Sequence, residues 1–100
     1  MNKPTMEERL TLARQGAALL YAQGARRVWL FGALAMGCQP DEKSDLDLVV
    51  DGLTPHQLFR MTRELGQILD CKVDLVDMGT TPHFFRPHVL RTRILLAREP

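Results

Sequence analysis

The sequence predicts one α/β domain in which helices pack on one face of a small mixed β-sheet. Two segments with helical periodicity each begin with a capping box, and four short runs carry the branched, aromatic or alternating residues of β-strands. One hundred residues, 45% of them apolar, are enough to bury a core without a disulfide or a structural metal. We therefore expect residues 1–100 to form a single domain.

The first helix is expected to begin after Thr5, whose hydroxyl lies three residues before Glu8 in a capping box. Gly24 is suited to end it, because glycine tolerates the left-handed conformation that follows many helices. The apolar residues at helical spacing form a stripe that we expect to face the sheet: Met6, Leu10, Ala13, Ala17 and Leu20.

The second helix is expected to begin after Thr54, with Pro55 at its first position, and to run to about Leu69. Its opposite side, which includes His56, is expected to be exposed. The buried stripe of this helix is predicted to consist of Leu58, Met61, Leu65 and Ile68, flanked by Phe59 and Leu69.

The predicted strands are residues 28–31, 45–50, 72–77 and 93–97. The first strand ends at Gly32, where glycine permits a sharp turn of the backbone. The residues after this turn are expected to open a short helix. Backbone amides at the start of a helix point at bound anions, so the turn is a candidate phosphate site.

Three aspartates are predicted to gather on one face of the sheet. Side chains of a strand alternate between faces, so Asp45 and Asp47 share a face opposite the apolar residues of their own strand. Asp74 joins them if its strand pairs beside theirs. Neighbouring carboxylates repel one another, and Mg²⁺ is an ion that binds such paired oxygen ligands together with phosphate. The pattern therefore predicts a site for metal and phosphate.

These motifs resemble those of the nucleotidyltransferase superfamily of DNA polymerase β, and within it the minimal nucleotidyltransferases. The family pattern is an apolar residue, then Gly-Ser or Gly-Gly, a loop, and Asp-apolar-Asp. In this chain the pattern is FGA at residues 31–33 and DLD at residues 45–47. The resemblance extends over nearly the whole chain and implies the polymerase β-like fold.

The resemblance also implies a reaction: Mg²⁺-dependent transfer of a nucleoside monophosphate, with ATP as the expected NTP substrate, to a hydroxyl group. Asp45, Asp47 and Asp74 would be catalytic and would bind two Mg²⁺ ions. Asp74 would bind the metal on the acceptor side and take the hydroxyl proton. The nucleotide would be bound by Gly32, Ala33, Asp45 and Asp47.

A partner is implied in the same way. Minimal nucleotidyltransferases typically pair with a small all-helical HEPN protein, often a toxin with RNase activity, and some act as antitoxins by adenylylating it. Larger relatives carry a second domain for the nucleobase and the acceptor, and one hundred residues leave no room for it. We therefore expect a HEPN-type partner, or a second copy of the chain, to complete the site.

Two positions depart from the family pattern. Active members usually carry Ser where Ala33 stands and often Arg where Met36 stands. Ala33 keeps a backbone donor but loses a hydroxyl, and Met36 offers no charge to phosphate. Each lost hydrogen bond to a charged group costs about 1.5–3 kcal/mol. A second hypothesis thus stands beside the first: a catalytically weakened module that binds or scaffolds the HEPN partner without chemistry.

Other functional classes find little support in the composition. A net charge of +1 does not favour direct binding of nucleic acid, which usually requires a strongly basic domain or stripe. Residues 1–10 are polar and charged, unlike a signal peptide, and no apolar run approaches the length of a membrane span. We therefore expect a cytoplasmic protein without a membrane partner.

Overall fold

The computed structural model describes residues 5–32, 35, 46–80 and 93–98. This part of the chain forms helices α1 (Met6–Ala22) and α2 (Pro55–Leu69), and strands β1 (Arg27–Phe31), β2 (Leu46–Asp51), β3 (Val73–Asp77) and β4 (Ile94–Leu96). The strand order is β3-β2-β1-β4. Strand β1 is antiparallel to β2 and β4, whereas β2 and β3 are parallel. The predicted mixed sheet is thus confirmed, and α2 is the crossover that a parallel pair requires.

Both helices pack on one face of the sheet, as predicted. The strand residues on this face include the fully buried Leu30, Leu48 and Val50. Helix α1 lies close to them at Gly16, where an added Cβ would be 3.4 Å from Leu69 Cδ1 and 3.5 Å from Leu48 Cδ1. Within the described residues, neither helix is both long and apolar enough to cross a membrane.

Both helices start at the predicted capping residues, with both bonds of a capping box at α2 and the threonine bond at α1. The Thr5 hydroxyl accepts a hydrogen bond of 3.0 Å from the Glu8 amide. At the second helix, the Thr54 hydroxyl accepts from the Gln57 amide, and the Gln57 side chain accepts from the Thr54 amide. These bonds satisfy donors that a helix start leaves without partners, so a local sequence signal fixes each boundary.

The predicted buried stripe of α2 is wrong at its last residue, Ile68, whereas Leu58 at its start is partly buried against the core. Ile68 is 61% exposed and Phe59 is 68% exposed, whereas Leu69 is only 7% exposed. The buried residues Met61, Leu65 and Leu69 follow one another at intervals of four. An α-helix has 3.6 residues per turn, so the next core-facing position after Leu65 is either the third residue, Ile68, or the fourth, Leu69. Here the packing buries the fourth.

Helix α1 is joined to the sheet by a buried tyrosine. The Tyr21 hydroxyl donates to the Leu96 carbonyl over 2.7 Å and accepts from the Val28 amide over 3.1 Å. Val28 and Leu96 are opposite each other in the pairing of β1 with β4. A single hydroxyl therefore connects α1, β1 and the short edge strand β4.

Replacing this residue in Tyr21→Phe tests that connection. We expect the free energy of unfolding to fall by about 2 kcal/mol, because a buried amide and a buried carbonyl each lose a partner. Denaturation in urea, followed by the fluorescence of Trp29, measures the change. Phenylalanine keeps the ring, so the loss is that of the hydroxyl alone; an unchanged midpoint would show that water replaces both bonds.

The second face of the sheet carries an apolar cluster that the sequence analysis did not predict. Trp29, Phe31 and Val49 are buried there, and Val76 and Met78 pack against them. Val49 is completely buried, although it lies on the same face of β2 as Asp47. This face is therefore acidic at one end and apolar in its middle. We call these five residues the second apolar cluster.

Candidate functional site

The predicted site residues divide into two groups. Gly32, Asp47 and Asp74 lie in the described part of the chain, whereas Ala33 and Asp45 lie outside the described residues, as does Met36. The geometry of the site is therefore given by the end of β1, the start of β2 and the start of β3. These three strand ends meet at the same edge of the sheet.

Asp47 and Asp74 are direct neighbours across the parallel strands β2 and β3. Parallel strands lie about 4.8 Å apart, so two carboxylates in register project side by side from one face. Asp47 is half-buried and Asp74 is exposed. Like charges placed opposite each other destabilise a sheet, and a bound cation removes that cost. The pair is consequently a candidate cation site.

The backbone of Gly32 lies directly against the Asp47 carboxylate. An added Cβ at Gly32 would be 2.5 Å from Asp47 Oδ2 and 3.3 Å from its Cγ, closer than atoms of neighbouring residues pack. Gly32 also has a φ of +81°, a conformation that favours glycine. Glycine is therefore favoured here by the turn, and any other side chain would have to displace the Asp47 carboxylate.

This contact follows from the register of the sheet. Phe31 and Asp47 form the last pair of the antiparallel ladder between β1 and β2. The chain turns away from the sheet at the next residue, Gly32, and so passes beside the carboxylate of the residue that ends the ladder. The sequence predicted the turn from the glycine alone, but the approach to Asp47 depends on strand pairing and has no local signal.

The donor set fits a hard divalent cation. Carboxylate oxygens are the ligands that Mg²⁺ prefers, and it takes one or two of them together with water and phosphate oxygens. Among the described residues, no group of three or more His, Cys, Asp or Glu side chains lies together. Asp47 and Asp74 are a pair, and the third predicted ligand, Asp45, lies outside the described residues. Two carboxylates with phosphate oxygens are sufficient for this ion.

Apolar side chains and an arginine lie on the same face of the sheet as the acidic pair, and no role at the site was predicted for them from the sequence. Trp29 and Val49 belong to the second apolar cluster, and the Arg93 guanidinium carbon is 5.5 Å from the centre of the Trp29 ring. The unbroken apolar run 28–31 was a signal for this cluster, because a strand that is apolar on both sides is buried on both faces. Arg93 had no such signal.

The chain matches a family model. The model describes the nucleotidyltransferase domain of the polymerase β type, and the match covers residues 19–100. No curated protein matches the chain. The matched span contains all four strands and α2, and it includes each of the predicted site residues.

Solved structures share the fold. The structure of a minimal nucleotidyltransferase is 31% identical, with a TM-score of 0.76, and the match covers 91% of this chain and 95% of that one. A toxin-antitoxin structure with AMP-PNP is 23% identical, with a TM-score of 0.72, over 86% of this chain and 73% of that chain.

A further match is to a complex from Shewanella oneidensis, in which a tri-AMPylated HEPN toxin is bound to an MNT antitoxin. Its identity is 20% and its TM-score is 0.59, over 94% of this chain and 70% of that chain. Two helices on a four-stranded mixed sheet are thus the architecture that these proteins have in common with this chain.

Proposed function

The chain belongs to the polymerase β nucleotidyltransferase family, as a minimal nucleotidyltransferase, and we propose that it transfers AMP from Mg-ATP to a hydroxyl group of a HEPN-type partner protein. The observation that carries this proposal is the contact of the Gly32 backbone with the Asp47 carboxylate. This close approach supports the proposal, because it sets the turn expected to bind phosphate next to a carboxylate expected to bind a cation. Transfer of a nucleotidyl group requires that proximity.

The residues have separate roles in this proposal. Asp47 and Asp74, together with Asp45, would hold Mg²⁺, which would supply charge neutralisation at the phosphates and activate the acceptor oxygen. The Gly32 turn, continued by the Ala33 amide, binds phosphate. Because Gly32 has no side chain, the nucleotide approaches the Asp47 carboxylate without obstruction.

The chemical step forms one bond and breaks one. The acceptor hydroxyl oxygen bonds to the α-phosphorus of ATP, the bond from that phosphorus to the oxygen bridging the β-phosphate breaks, and pyrophosphate leaves. The hydroxyl proton passes to the Asp74 carboxylate. Asp74 is exposed, so it can release this proton to water before the next cycle.

The choice of partner and nucleotide is supported by similar proteins. One is a toxin-antitoxin structure that contains AMP-PNP, an ATP analogue, and another is a complex of an AMPylated HEPN toxin with an MNT antitoxin. The described part of this chain has no element beyond the two helices and the sheet, and so no separate acceptor-binding layer. A partner protein that carries the acceptor hydroxyl would supply one.

Radiolabelled ATP distinguishes this reaction from others. We expect the purified chain, incubated with Mg²⁺ and a HEPN-type protein from the same genome, to transfer label from [α-³²P]ATP and none from [γ-³²P]ATP. Label from the γ-position would indicate a kinase instead. If the chain binds Mg-ATP in a calorimetric titration but labels no partner, the proposed nucleotide site stands and the proposed acceptor is ruled out.

The alternative is a module that neutralises a HEPN partner by binding alone. Ala33 and Met36 favour it, because they stand where active members carry a hydroxyl and a charge. The double variant Asp45→Asn/Asp47→Asn separates the two functions. A purely steric module keeps its neutralising effect on the partner in this variant, whereas an enzymatic antitoxin loses it.

A further inference from the structure

Arg93 lies on the same face of the sheet as the acidic pair. It precedes β4, and its guanidinium carbon is 5.5 Å from the centre of the Trp29 ring. A cation within about 6 Å of an aromatic ring centre is attracted to its face. Trp29 in turn belongs to the second apolar cluster, which adjoins Asp47. The aromatic ring therefore holds a positive charge at this surface.

The pairing of the strands places this arginine in line with the carboxylates. Residues of β1 and β4 pair so that Trp29 is opposite Leu95 and Leu30 is opposite Ile94. Continued by one residue beyond its last pair, this register would set Arg93 beside Phe31. Phe31 is opposite Asp47, and Asp47 is opposite Asp74. One row across the sheet thus contains arginine, phenylalanine, aspartate and aspartate.

This row has a positive end and a negative end. The strand spacing of about 4.8 Å puts the Arg93 backbone about 10 Å from that of Asp47, on the side away from Asp74. The Gly32 turn leaves the sheet between them, directly after Phe31. The guanidinium itself lies over Trp29, one row of side chains further from the turn than Phe31. A polyanion bound at the Gly32 turn and extending past Phe31 would therefore reach it.

We propose that Arg93 binds the β- and γ-phosphates of the nucleotide, the pyrophosphate that leaves, while the acceptor approaches from the Asp74 side. This inference rests on the proposed function. A guanidinium presents a planar set of donors that bonds two phosphate oxygens at once. Arg93 is exposed, so these donors are available to a ligand. Arg93 also supplies the positive charge that Met36 lacks, from a position much later in the sequence.

The test compares two nucleotides that differ in these phosphates. Mg²⁺ with AMP-PNP contains the β- and γ-phosphates, and AMP lacks both. We expect Arg93→Gln to weaken the binding of Mg-AMP-PNP by about 10- to 100-fold, the effect of losing charge-assisted hydrogen bonds, and that of AMP by less than about twofold. Isothermal titration calorimetry on the full chain gives the dissociation constants of both nucleotides.

Arg27→Gln is the matched control. Arg27 is an exposed arginine of the same face, at the other end of β1, where it is opposite Asp51. It lies two rows of side chains from Phe31, so its loss should leave both constants unchanged. An equal effect of the two variants would show that Arg93 acts only through the overall charge and would overturn the inference.

Three further outcomes are decisive. If the wild-type chain does not bind Mg-AMP-PNP, the proposed function and this inference both fail. If it binds and Arg93→Gln binds equally well, only the inference fails. If Arg93→Gln weakens the binding of AMP-PNP and of AMP equally and also lowers the melting temperature, the arginine holds β4 on the sheet through Trp29 and does not bind phosphate.

Discussion

Asp47→Asn is expected to lower the rate of AMP transfer by about 10³-fold, the scale on which enzymes lose activity when one charge-stabilising group is removed. Asp47 is opposite Asp74 and its carboxylate lies close to Gly32, so it borders both the proposed cation site and the proposed phosphate turn. Asparagine keeps the shape of the side chain but removes the charge. The rate of label transfer from [α-³²P]ATP, measured at saturating ATP, gives the effect.

Asp51→Asn is the control for this variant. Asp51 lies on the same strand and the same face as Asp47, four residues further on, and is opposite Arg27. It is about 13 Å from Asp47 along the strand, so it cannot ligate the same ion. We expect its transfer rate to stay within about twofold of the wild type. Equal losses in the two variants would mean that the negative charge of the whole face matters, and that Asp47 has no special position.

The boundaries of the helices could be predicted because their signals are local. Thr54 and Gln57 bond to each other's amides within one turn, so the sequence alone indicates where α2 begins. The same holds for Thr5 in α1. The inner face of α2 was less predictable. Leu58 is partly buried and Leu65 is fully buried, but Ile68 and Leu69 fit the helical period equally well, and only packing against the sheet and α1 buries Leu69.

A charged residue in the core-facing stripe of α1 shows another limit of sequence patterns. Arg9 is only 8% exposed, one turn before the buried Ala13. Its Nε atom is buried without a hydrogen-bond partner in the described part of the chain. Hydrophobic periodicity assigns arginine to solvent, because burying a polar group without a partner costs free energy. The long aliphatic stem of arginine favours the exception, because it packs as an apolar side chain does.

The arrangement of the candidate site required long-range pairing. The sequence placed Asp47 and Asp74 on compatible faces of two strands, but their adjacency depended on whether β3 pairs beside β2, and the structure shows that it does. The contact of Gly32 with Asp47 and the position of Arg93 over Trp29 have no local pattern at all. Each joins residues that are far apart in the chain and that only the register of the sheet brings together.

Gly32→Ala should combine a modest loss of stability with a large loss of nucleotide binding. A non-glycine residue at a φ of +81° costs about 1–2 kcal/mol of folding free energy. The new methyl group would also stand 2.5 Å from Asp47 Oδ2, so the carboxylate must move away from the turn. We expect the affinity for Mg-AMP-PNP to fall by about 10²-fold, because a displaced ligand no longer meets the cation and the phosphate together.

Gly24→Ala is the control that separates the displacement of the carboxylate from the backbone strain. Gly24 has a φ of +105°, but an added Cβ there meets no atom within 4 Å. Both variants therefore carry the backbone strain, whereas only Gly32→Ala displaces a carboxylate. Melting temperatures that fall together, with nucleotide binding lost only in Gly32→Ala, would establish that this glycine serves the site. If Gly32→Ala kept its affinity for Mg-AMP-PNP, the close approach to Asp47 would be a feature of the turn alone, and the nucleotide would have to bind elsewhere on the sheet.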